Sequence, residues 1–306
     1  MVYTVTLNPA LDMAAPGGFS AGGVARYGQG AFLAGGKGIN VSRLLTALGV
    51  GNLALGLCAG FTGREVARQL EAAGIPAELL FLEEGCTRIN LKLQEPGGPV
   101  VELNGEGPQV PLSALEQIGE RCRALGPGDF LVLAGSIPGS LPRDAYARLL
   151  SYVEGRGVYT VVDAAGEALG AVLPCRPFLV KPNQQELGEF FGGEVSTIGQ
   201  AAKYAGELRR MGAQNVVVSL GGQGALLAGD GGQLFCRAAQ GEAASTVGAG
   251  DSLVAGFIYG WGLHLSAGES LRWGVAAGCA TAFSQGIASG EAVKALYPRI
   301  HVEPFL

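Results

Sequence analysis

A glycine-rich loop near the C-terminus combines backbone amides with a carboxylate in a spacing suited to phosphoryl chemistry. Residues 245–252 read STVGAGDS and lead directly into an apolar helical pattern. Gly248 and Gly250 permit backbone angles that other residues avoid, and they let N–H groups approach a ligand closely. Unpaired N–H groups at a helix start favour an anion, most naturally a phosphoryl group. We therefore expect an anion site in this loop.

The acid of this loop, Asp251, has two interpretations. A carboxylate inside an anion site is repelled by the ligand, so it needs a chemical reason to be there. Accepting the proton of an attacking hydroxyl is such a reason. Aspartate also suits the first turn of a helix as a cap. From the loop alone, both interpretations stay open.

A second glycine-rich segment near the N-terminus also opens a helix. Residues 35–38 read GGKG, which places Lys37 at the positive end of the helix dipole, where a cation is unfavourable. A bound phosphate would remove that conflict. Asn40 lies one turn further and either reaches the same ligand or faces solvent. The segment fails the Walker A pattern, because Ala31 and Gly38 stand where a glycine and a Ser or Thr are required.

Three further polar residues fall on or after predicted strands. Ligands on parallel α/β sheets lie beyond the carboxyl ends of the strands. Asp12 follows the first strand and either bonds a sugar hydroxyl or forms a turn. Arg88 and Asn90 share one face of a predicted hairpin strand. An exposed arginine on a sheet is commonplace, so the spacing alone gives these two no function.

Residues 181–186 read KPNQQE, follow a buried strand and open a helix. Asn183 and Glu186 fit a capping box. They also suit the support of a hydrated Mg²⁺, which takes oxygen ligands and keeps several waters. Further along, Ser219 ends a strand and precedes a glycine cluster that forms either a hairpin turn or a cover for a nucleotide. This cluster consists of Gly221, Gly222 and Gly224.

The elements that position these residues follow two patterns. After residue 110, helices and strands alternate, which predicts a parallel sheet covered by helices on both faces. Two helices, 252–261 and 267–284, are expected to close the chain. Residues 87–93 and 100–104 alternate polar and apolar side chains around a Pro-Gly-Gly-Pro turn. Such a hairpin suits a sheet with one wet face, and we expect it to join residues 12–33 in a small separate sheet.

The composition narrows the class of protein. The chain has 306 residues, of which 48% are hydrophobic and 15% charged, as in a well-buried globular protein. A net charge of −5 gives no support to nucleic-acid binding. The six cysteines are far apart and form no Cys-x-x-Cys pair, which suits free thiols in a reducing cytoplasm. With neither a signal peptide nor a long apolar segment, we expect a cytoplasmic protein without membrane contact.

Taken together, these segments resemble the PfkB family of ribokinase-like carbohydrate kinases. The resemblance is carried by GGKGINVS at 35–42 and TVGAGDS at 246–252, with KPNxxE at 181–186 and SLGGxGA at 219–225 between them. Within the family, TLNPALD at 6–12, the lysine of GGKG and TRIN at 87–90 are similar to the branch of 1-phosphofructokinases and tagatose-6-phosphate kinases. One departure is NGEGP at 104–108, where relatives often have a Gly-Pro-Gly-Pro-like run. It concerns the lid of the family fold rather than catalysis.

The resemblance implies a fold and an activity. The fold would be α/β, a three-layer α/β/α sandwich with a mostly parallel central sheet, in a single domain spanning 1–306. A β-lid would consist of about 12–33 and 86–105, and its apolar face would pair two copies into a homodimer. The activity would be ATP-dependent phosphorylation of a hexose phosphate, with D-fructose 1-phosphate giving D-fructose 1,6-bisphosphate. Tagatose 6-phosphate is the alternative substrate. A non-catalytic sugar-phosphate sensor is a more distant alternative, because a sensor has no need of the base in GAGD.

The resemblance also implies roles for individual residues, which remain expectations here. Asp251 would be the base, and the N–H groups of Gly248, Ala249 and Gly250 would form an anion hole for the transferred phosphoryl group. On the substrate side the expected residues are Asp12, Gly36 and Asn40 for sugar hydroxyls, Lys37 and Arg88 for the existing phosphate, and Asn90 beside them. On the nucleotide side they are Asn183 and Glu186 for Mg²⁺ through water, and Lys181, Ser219, Gly221, Gly222 and Gly224 for ATP.

Overall fold

A computed structural model describes residues 1–17, 27–94 and 100–305. Its strands, in chain order, are β1 (Val2–Thr6), β2 (Ala10–Pro16), β3 (Ala31–Gly35), β4 (Asn52–Ala59), β5 (Ala77–Leu82), β6 (Arg88–Gln94), β7 (Val100–Asn104), β8 (Phe130–Ala134), β9 (Tyr159–Asp163), β10 (Leu179–Val180), β11 (Asn215–Ser219), β12 (Gly224–Gly229), β13 (Gly232–Arg237) and β14 (Val302–Pro304). Its α-helices are α1 (Lys37–Ala47), α2 (Gly60–Ala72), α3 (Leu112–Cys122), α4 (Ala145–Ser151), α5 (Gly166–Val172), α6 (Gln184–Phe191), α7 (Ile198–Arg210), α8 (Ala249–Gly262), α9 (Ala267–Ala282) and α10 (Gly290–Leu296).

The large sheet has the order β14-β13-β12-β11-β10-β9-β8-β1-β4-β5. Seven neighbouring strands, from β11 through β10, β9, β8, β1 and β4 to β5, pair in parallel. The remaining strands, β12, β13 and β14, extend the sheet beyond β11 with antiparallel pairing. The parallel strands are continuous apolar runs, such as FLVLA in β8, because both of their faces are buried. After β1 the chain adds β4 and β5 on one side of β1, and it later adds β8 on the opposite side of β1. The central sheet therefore reverses its winding next to β1, where open α/β sheets bind ligands.

Helices cover both faces of this sheet and create two cores. On one face, Leu131 and Leu133 of β8 belong to a buried cluster with the inner residues of α3 to α7. On the other face, Val132 of the same strand belongs to a buried cluster with α1, α8, α9 and α10. Helix α2 packs beside them against β4, with Val66 and Leu70 buried. The expected three-layer α/β/α arrangement with a mostly parallel sheet is confirmed.

A small sheet, β3-β2-β6-β7, stands apart from the large one. Its pairing sets Asp12 opposite Asn90, while Met13 faces Leu91 on the other side of the sheet. One face is consequently polar and the other apolar. The expected small separate sheet, built from the N-terminal strands and the hairpin, is confirmed. Residues 18–26 and 95–99 of the predicted lid lie outside the described residues, and the single-domain boundary 1–306 stays a prediction.

The C-terminal part differs from the sequence expectation. The expectation that two helices close the chain is wrong, because α10 and β14 follow them. Helix α10 has only seven residues, GEAVKAL, too few to display a helical period in the sequence. Helix α8 also begins at Ala249, three residues before the predicted start, so Asp251 lies in its first turn. No helix of the described ranges is both long and apolar enough to cross a bilayer.

Candidate active site

A large cavity lies at the carboxyl ends of the parallel strands. Its volume is about 1250 Å³, and it extends from the loop before α8 to the turn after β11. Three strands deliver polar residues to it: Asp163 ends β9, Lys181 follows β10, and Ser219 ends β11. This edge of the sheet is where the topology predicts a ligand.

The loop at residues 248–251, called the GAGD loop below, forms the start of α8. Gly248 is the N-cap, in the left-handed region at φ 78°, and no side chain caps this helix. This backbone angle favours glycine, and a Cβ on Gly248 would lie 2.5 Å from Ile287 Cδ1, so the isoleucine side chain would have to move. The N–H of Ala249 bonds Thr246 O at 3.3 Å. The N–H groups of Gly250 and Asp251 make no hydrogen bond within the described part of the chain and remain open to an anion.

Asp251 is buried at the cavity, with 7% of its surface exposed. Its Oδ2 accepts a hydrogen bond from Asn40 Nδ2 at 2.8 Å. Burial raises the pKa of Asp251 to about 6, and the carboxylate of Asp163 adds to this. The Asn40 hydrogen bond and the charges of Lys37 and Lys181 oppose the rise. A carboxylate with a pKa near 6 is matched to proton transfer near neutral pH.

Asn40 was expected to hold a sugar hydroxyl, which stays a prediction, and its amide donates a hydrogen bond to the carboxylate of Asp251. It lies in the first turn of α1, whose start is fixed by two close contacts. Gly36 adopts φ 128°, and a Cβ there would lie 2.7 Å from Thr6 Cγ2. A Cβ on Gly38 would lie 2.5 Å from Thr6 Oγ1. The two glycines therefore let α1 approach β1 closely enough for Asn40 to reach α8.

A buried carboxylate that the sequence reasoning missed holds two lysines. Asp163 Oδ1 accepts a hydrogen bond from Lys37 Nζ at 2.9 Å. Its Oδ2 lies 3.3 Å from Lys181 Nζ, so the same carboxylate forms an ion pair with a second, buried lysine. Burial by itself would raise the pKa of Asp163, but the charges of Lys181 and Lys37 outweigh it and lower that pKa. An acid that ends a buried strand, VVD at 161–163, was the available sequence signal.

Lys37 and Arg88, expected to hold one phosphate together, have different partners. Lys37 borders the cavity and reaches Glu186 Oε1 at 3.4 Å besides Asp163. Burial would lower its pKa, yet these two carboxylates raise it above the ordinary value, so Lys37 stays charged. Arg88 Nε instead donates to Asn8 O at 3.2 Å. Burial lowers the pKa of Arg88, with Asp12 opposing.

The polar face of the small sheet brings together a second group of side chains. Asn90 Nδ2 donates to Asp12 Oδ1 at 2.8 Å. Asn8 donates to Ser136 Oγ at 3.3 Å. The Oδ1 atoms of Asn8 and Asn90 are buried and have no hydrogen-bond partner within the described residues. Buried polar atoms without partners are rare and often mark the place of a missing ligand or water. Asn8 was not among the predicted site residues.

Asn183 and Glu186 form the capping box that the sequence allowed. Asn183 Oδ1 accepts from Glu186 N at 2.7 Å, and Glu186 Oε2 accepts from Asn183 N at 2.9 Å. Only Glu186 Oε1 then points away from the cap, towards Lys37. No group of three or more His, Cys, Asp or Glu side chains suited to a metal occurs in the described ranges. The capping-box interpretation is therefore confirmed, and the support of a hydrated Mg²⁺ by these residues stays a prediction.

The glycine cluster after β11 also borders the cavity. Ser219 N donates to Pro182 O at 3.1 Å, which ties the end of β11 to the segment before α6. Gly224 adopts φ 115°, and a Cβ there would lie 2.0 Å from Cys236 O. By contrast, Gly222 has no atom within 4 Å of its Cβ position. The cluster is thus tightly built at Gly224 and open at Gly222, on the cavity side.

Comparison with known proteins finds sequence and structural similarity along most of the chain. The family model described as pfkB family carbohydrate kinase matches residues 11–293. The 1-phosphofructokinase of Bacillus subtilis is 42% identical over 262 residues, which cover 85% of each chain. Two similar structures are of phosphofructokinase-2 from Escherichia coli, one in complex with fructose-6-phosphate at 31% identity and one of the tetrameric inhibited form at 32% identity. Each has a TM-score of 0.89 and covers 97% of this chain and 98% of its own.

A more distant structure shares the fold alone. It is ribokinase from Arabidopsis thaliana, complexed with ribose and ATP, at 21% identity and a TM-score of 0.78 over 97% of this chain and 98% of that one. The family match spans most of the residues that build the site, from Asp12 to Asp251. On this sequence and structural similarity, the chain belongs to the pfkB family of carbohydrate kinases.

Proposed function

We propose that this kinase transfers the γ-phosphoryl group of ATP to the free primary hydroxyl of D-fructose 1-phosphate, giving D-fructose 1,6-bisphosphate and ADP. The observation that carries the proposal is the buried carboxylate of Asp251, with a pKa of about 6, next to the open N–H groups of the GAGD loop. The substrate is favoured by the 42% identity to a 1-phosphofructokinase. A non-catalytic sensor would have no use for a base at this position.

In the proposed reaction, the Asp251 carboxylate accepts the proton of the sugar hydroxyl. The hydroxyl oxygen then forms a bond to the γ-phosphorus, and the bond between that phosphorus and the bridging oxygen of ADP breaks. Negative charge on the transferred group is met by the N–H groups of the GAGD loop and by Lys181, whose Nζ lies 3.3 Å from a Cβ position on Gly250. Such preorganised placement of charge supplies most of what phosphoryl transfer requires from a protein.

Lys37 receives a different role from the one expected from sequence. Its contacts with Asp163 and Glu186 at the border of the cavity support a role towards the proposed nucleotide. We assign it to the transferred phosphoryl group rather than to the existing sugar phosphate, which is left to Arg88. Mg²⁺, held through water by Asn183 and Glu186, would neutralise charge on the β- and γ-phosphate oxygens. The glycine cluster after β11 would cover the rest of the nucleotide.

The sugar itself is assigned to the polar face of the small sheet. Asp12 and Asn90 are already joined by a hydrogen bond and so present a fixed pair of polar groups. The unpartnered Oδ1 atoms of Asn8 and Asn90 are acceptors that sugar hydroxyls would satisfy. Gly107, at φ 90°, lies over Asn8, where a Cβ would come within 2.7 Å of Oδ1. The compared relatives are phosphofructokinases and a ribokinase, which favours a fructose phosphate over tagatose 6-phosphate.

We also assign the apolar face of the small sheet to a homodimer. Phe32, Ile89 and Leu103 lie on this face and expose 46%, 41% and 45% of their surfaces. Exposed apolar groups on one sheet face are typical of interaction sites. A second copy is the chosen partner, since an isologous contact buries the same patch on both chains. The tetrameric form of the Escherichia coli phosphofructokinase-2 is compatible with self-association in this family.

A substrate panel tests the proposed function. ADP release is measured with fructose 1-phosphate, fructose 6-phosphate, tagatose 6-phosphate, fructose and ribose, at saturating ATP and Mg²⁺. We expect the highest kcat/KM with fructose 1-phosphate, and a loss of kcat/KM for phosphorylated sugars but not for free fructose in Arg88→Met. The proposal fails if an unphosphorylated sugar is the best substrate. It also fails if tagatose 6-phosphate or fructose 6-phosphate exceeds fructose 1-phosphate.

A further inference from the structure

The least explained charge in the cavity is the carboxylate of Asp163. It is 1% exposed and ends β9, and its backbone O accepts a hydrogen bond from Gly135 N at 3.0 Å, so its position is fixed by the sheet. The two oxygens of the side chain face different lysines, Lys37 from the start of α1 and Lys181 from the segment after β10. One rigid carboxylate thus links two ammonium groups from separate parts of the fold.

Stability alone does not account for this arrangement. Taking a carboxylate and two ammonium groups out of water is expensive, and apolar residues of similar volume often replace buried ion pairs without loss of stability. Lys181 Nζ contacts only Asp163 Oδ2 among the carboxylates of the described residues, and an ammonium carries three donors, so Lys181 keeps donors for another group. The cluster therefore awaits a further acceptor.

The position of the two lysines indicates what that acceptor is. Lys37 and Lys181 both border the cavity, as do Gly250 and Asp251 of the GAGD loop. Lys181 Nζ lies close to Gly250, whose N–H is open. Two ammonium groups and an open N–H around one space suit a phosphoryl group with three peripheral oxygens. Both lysines are also near enough to Asp251 for their charges to lower its pKa, so the Asp163 carboxylate competes with the Asp251 carboxylate for them.

We propose that Asp163 is a positioning residue that holds the ammonium groups of Lys37 and Lys181 around the γ-phosphoryl position and keeps them from pairing with the Asp251 carboxylate. This inference rests on the proposed phosphoryl transfer. It gives Asp163 no contact with the sugar and no role as a base. It also separates Asp163 from the metal side of the site, which is assigned to Asn183 and Glu186.

The test replaces the charge while keeping the shape, in Asp163→Asn. Calorimetry measures the binding of ADP and of the non-hydrolysable analogue adenylyl imidodiphosphate, and steady-state kinetics with fructose 1-phosphate gives kcat and KM. The proposal predicts that kcat falls by about 100-fold, the loss typical of one misplaced charge-stabilising donor. It also predicts that the preference for the analogue over ADP disappears, while the KM for the sugar phosphate is retained. The matched control is Asp144→Asn, which breaks an exposed ion pair with Arg148 on α4.

Three results would overturn the positioning role. One is an unchanged preference for the analogue together with an unchanged kcat. Another is recovery of kcat by raised Mg²⁺ alone, which would make Asp163 a metal ligand. The third comes from adding Asp163→Asn to the double variant Lys37→Met, Lys181→Met. A residue that acts through two lysines has no further effect once both are gone, so a loss of analogue preference as large as in wild type would contradict the role.

Further variants and a wild-type control distinguish a failed positioning role from a folding defect and from a wrong proposed function. If Asp163→Asn does not fold, Lys37→Met and Lys181→Met are measured singly, and each is expected to reduce the analogue preference. The positioning role is wrong if neither does. Wild-type protein is assayed in parallel on the sugar panel. If the wild-type protein phosphorylates none of the hexose phosphates, the proposed function is wrong. If the wild-type protein is active and Asp163→Asn has the same kcat and the same analogue preference, only the positioning role is wrong.

Discussion

Asn40 Nδ2 and Asp251 Oδ2 are 2.8 Å apart, and this hydrogen bond joins the first turns of two helices that both start in glycine-rich segments. It connects the beginning of α1 to the beginning of α8 across 211 positions of sequence. Because an amide N–H stabilises the charged form of a carboxylate, the bond also tunes the acid that we assign as the base.

The first prediction concerns pH. Asp251 must be deprotonated to accept a proton, and burial raises its pKa above the ordinary carboxyl value to about 6. The carboxyl is therefore protonated below that pH, and kcat should fall about tenfold per pH unit on the acid side. A pH profile of kcat at saturating substrates measures this limb. A kcat that stays constant down to pH 4.5 would contradict the assignment.

A second prediction separates Asp251 from the substrate, whose phosphate group also titrates near pH 6. Asn40→Ala removes the hydrogen bond that lowers the pKa of Asp251. The acid limb of kcat should then move to higher pH, which a titrating substrate phosphate would not do. Gln117→Ala, an exposed amide on α3, is the control and should leave the limb in place. An unshifted limb in Asn40→Ala would assign it to another group.

A third prediction concerns the geometry of the GAGD loop. Gly248→Ala puts a residue with a Cβ into the left-handed backbone region, which costs about 1–2 kcal/mol. The added Cβ also comes into close contact with Ile287. We expect a lower melting temperature and a large loss of kcat. Gly262→Ala lies at the other end of the same helix, with no atom within 4 Å of its Cβ position. It should be neutral or stabilising by up to about 1 kcal/mol. Equal effects of the two variants would show that the loop geometry has no special role.

A fourth prediction concerns assembly. Leu103→Asp puts a charge on the apolar face of the small sheet, at its edge strand β7, and should convert dimers to monomers in sedimentation experiments. Phe81→Asp, at an exposed position of the edge strand β5, should have no such effect. If wild type is a monomer at micromolar concentration, or if Phe81→Asp dissociates the assembly instead, the apolar face is not the interface.

Sequence patterns identified the parts of the site that are encoded locally. The GAGD loop, the start of α1 at Lys37 and the capping box at Asn183 each depend on a few consecutive residues, and glycine and helix-start preferences are readable at that range. The alternation of strands and helices likewise predicted the three-layer fold. Without the family resemblance, the roles of Asp251 as a cap or a base would have stayed open.

The parts that the sequence did not predict depend on contacts between distant segments. Asp163 gains its importance from Lys37, 126 residues away, and its place at the end of a buried strand does not by itself indicate that partner. The carboxylates that Lys37 contacts, Asp163 and Glu186, are likewise far from it in the sequence, so these contacts were not predicted. Helix α10 was missed for another reason, since seven residues are too few to show a period. Side-chain partners and short elements were thus fixed by tertiary packing and not by local pattern.

The central claim is that Asp251 is the base, and Asp251→Asn tests it most directly. The variant keeps the size of the side chain but cannot accept the hydroxyl proton at neutral pH. Rapid-quench measurement of a single turnover with bound ATP and fructose 1-phosphate should show phosphoryl transfer slowed by about 100- to 10,000-fold, the usual contribution of a general base. The dissociation constants for both substrates should stay close to those of wild type. Transfer at a near-normal rate in Asp251→Asn would contradict the account.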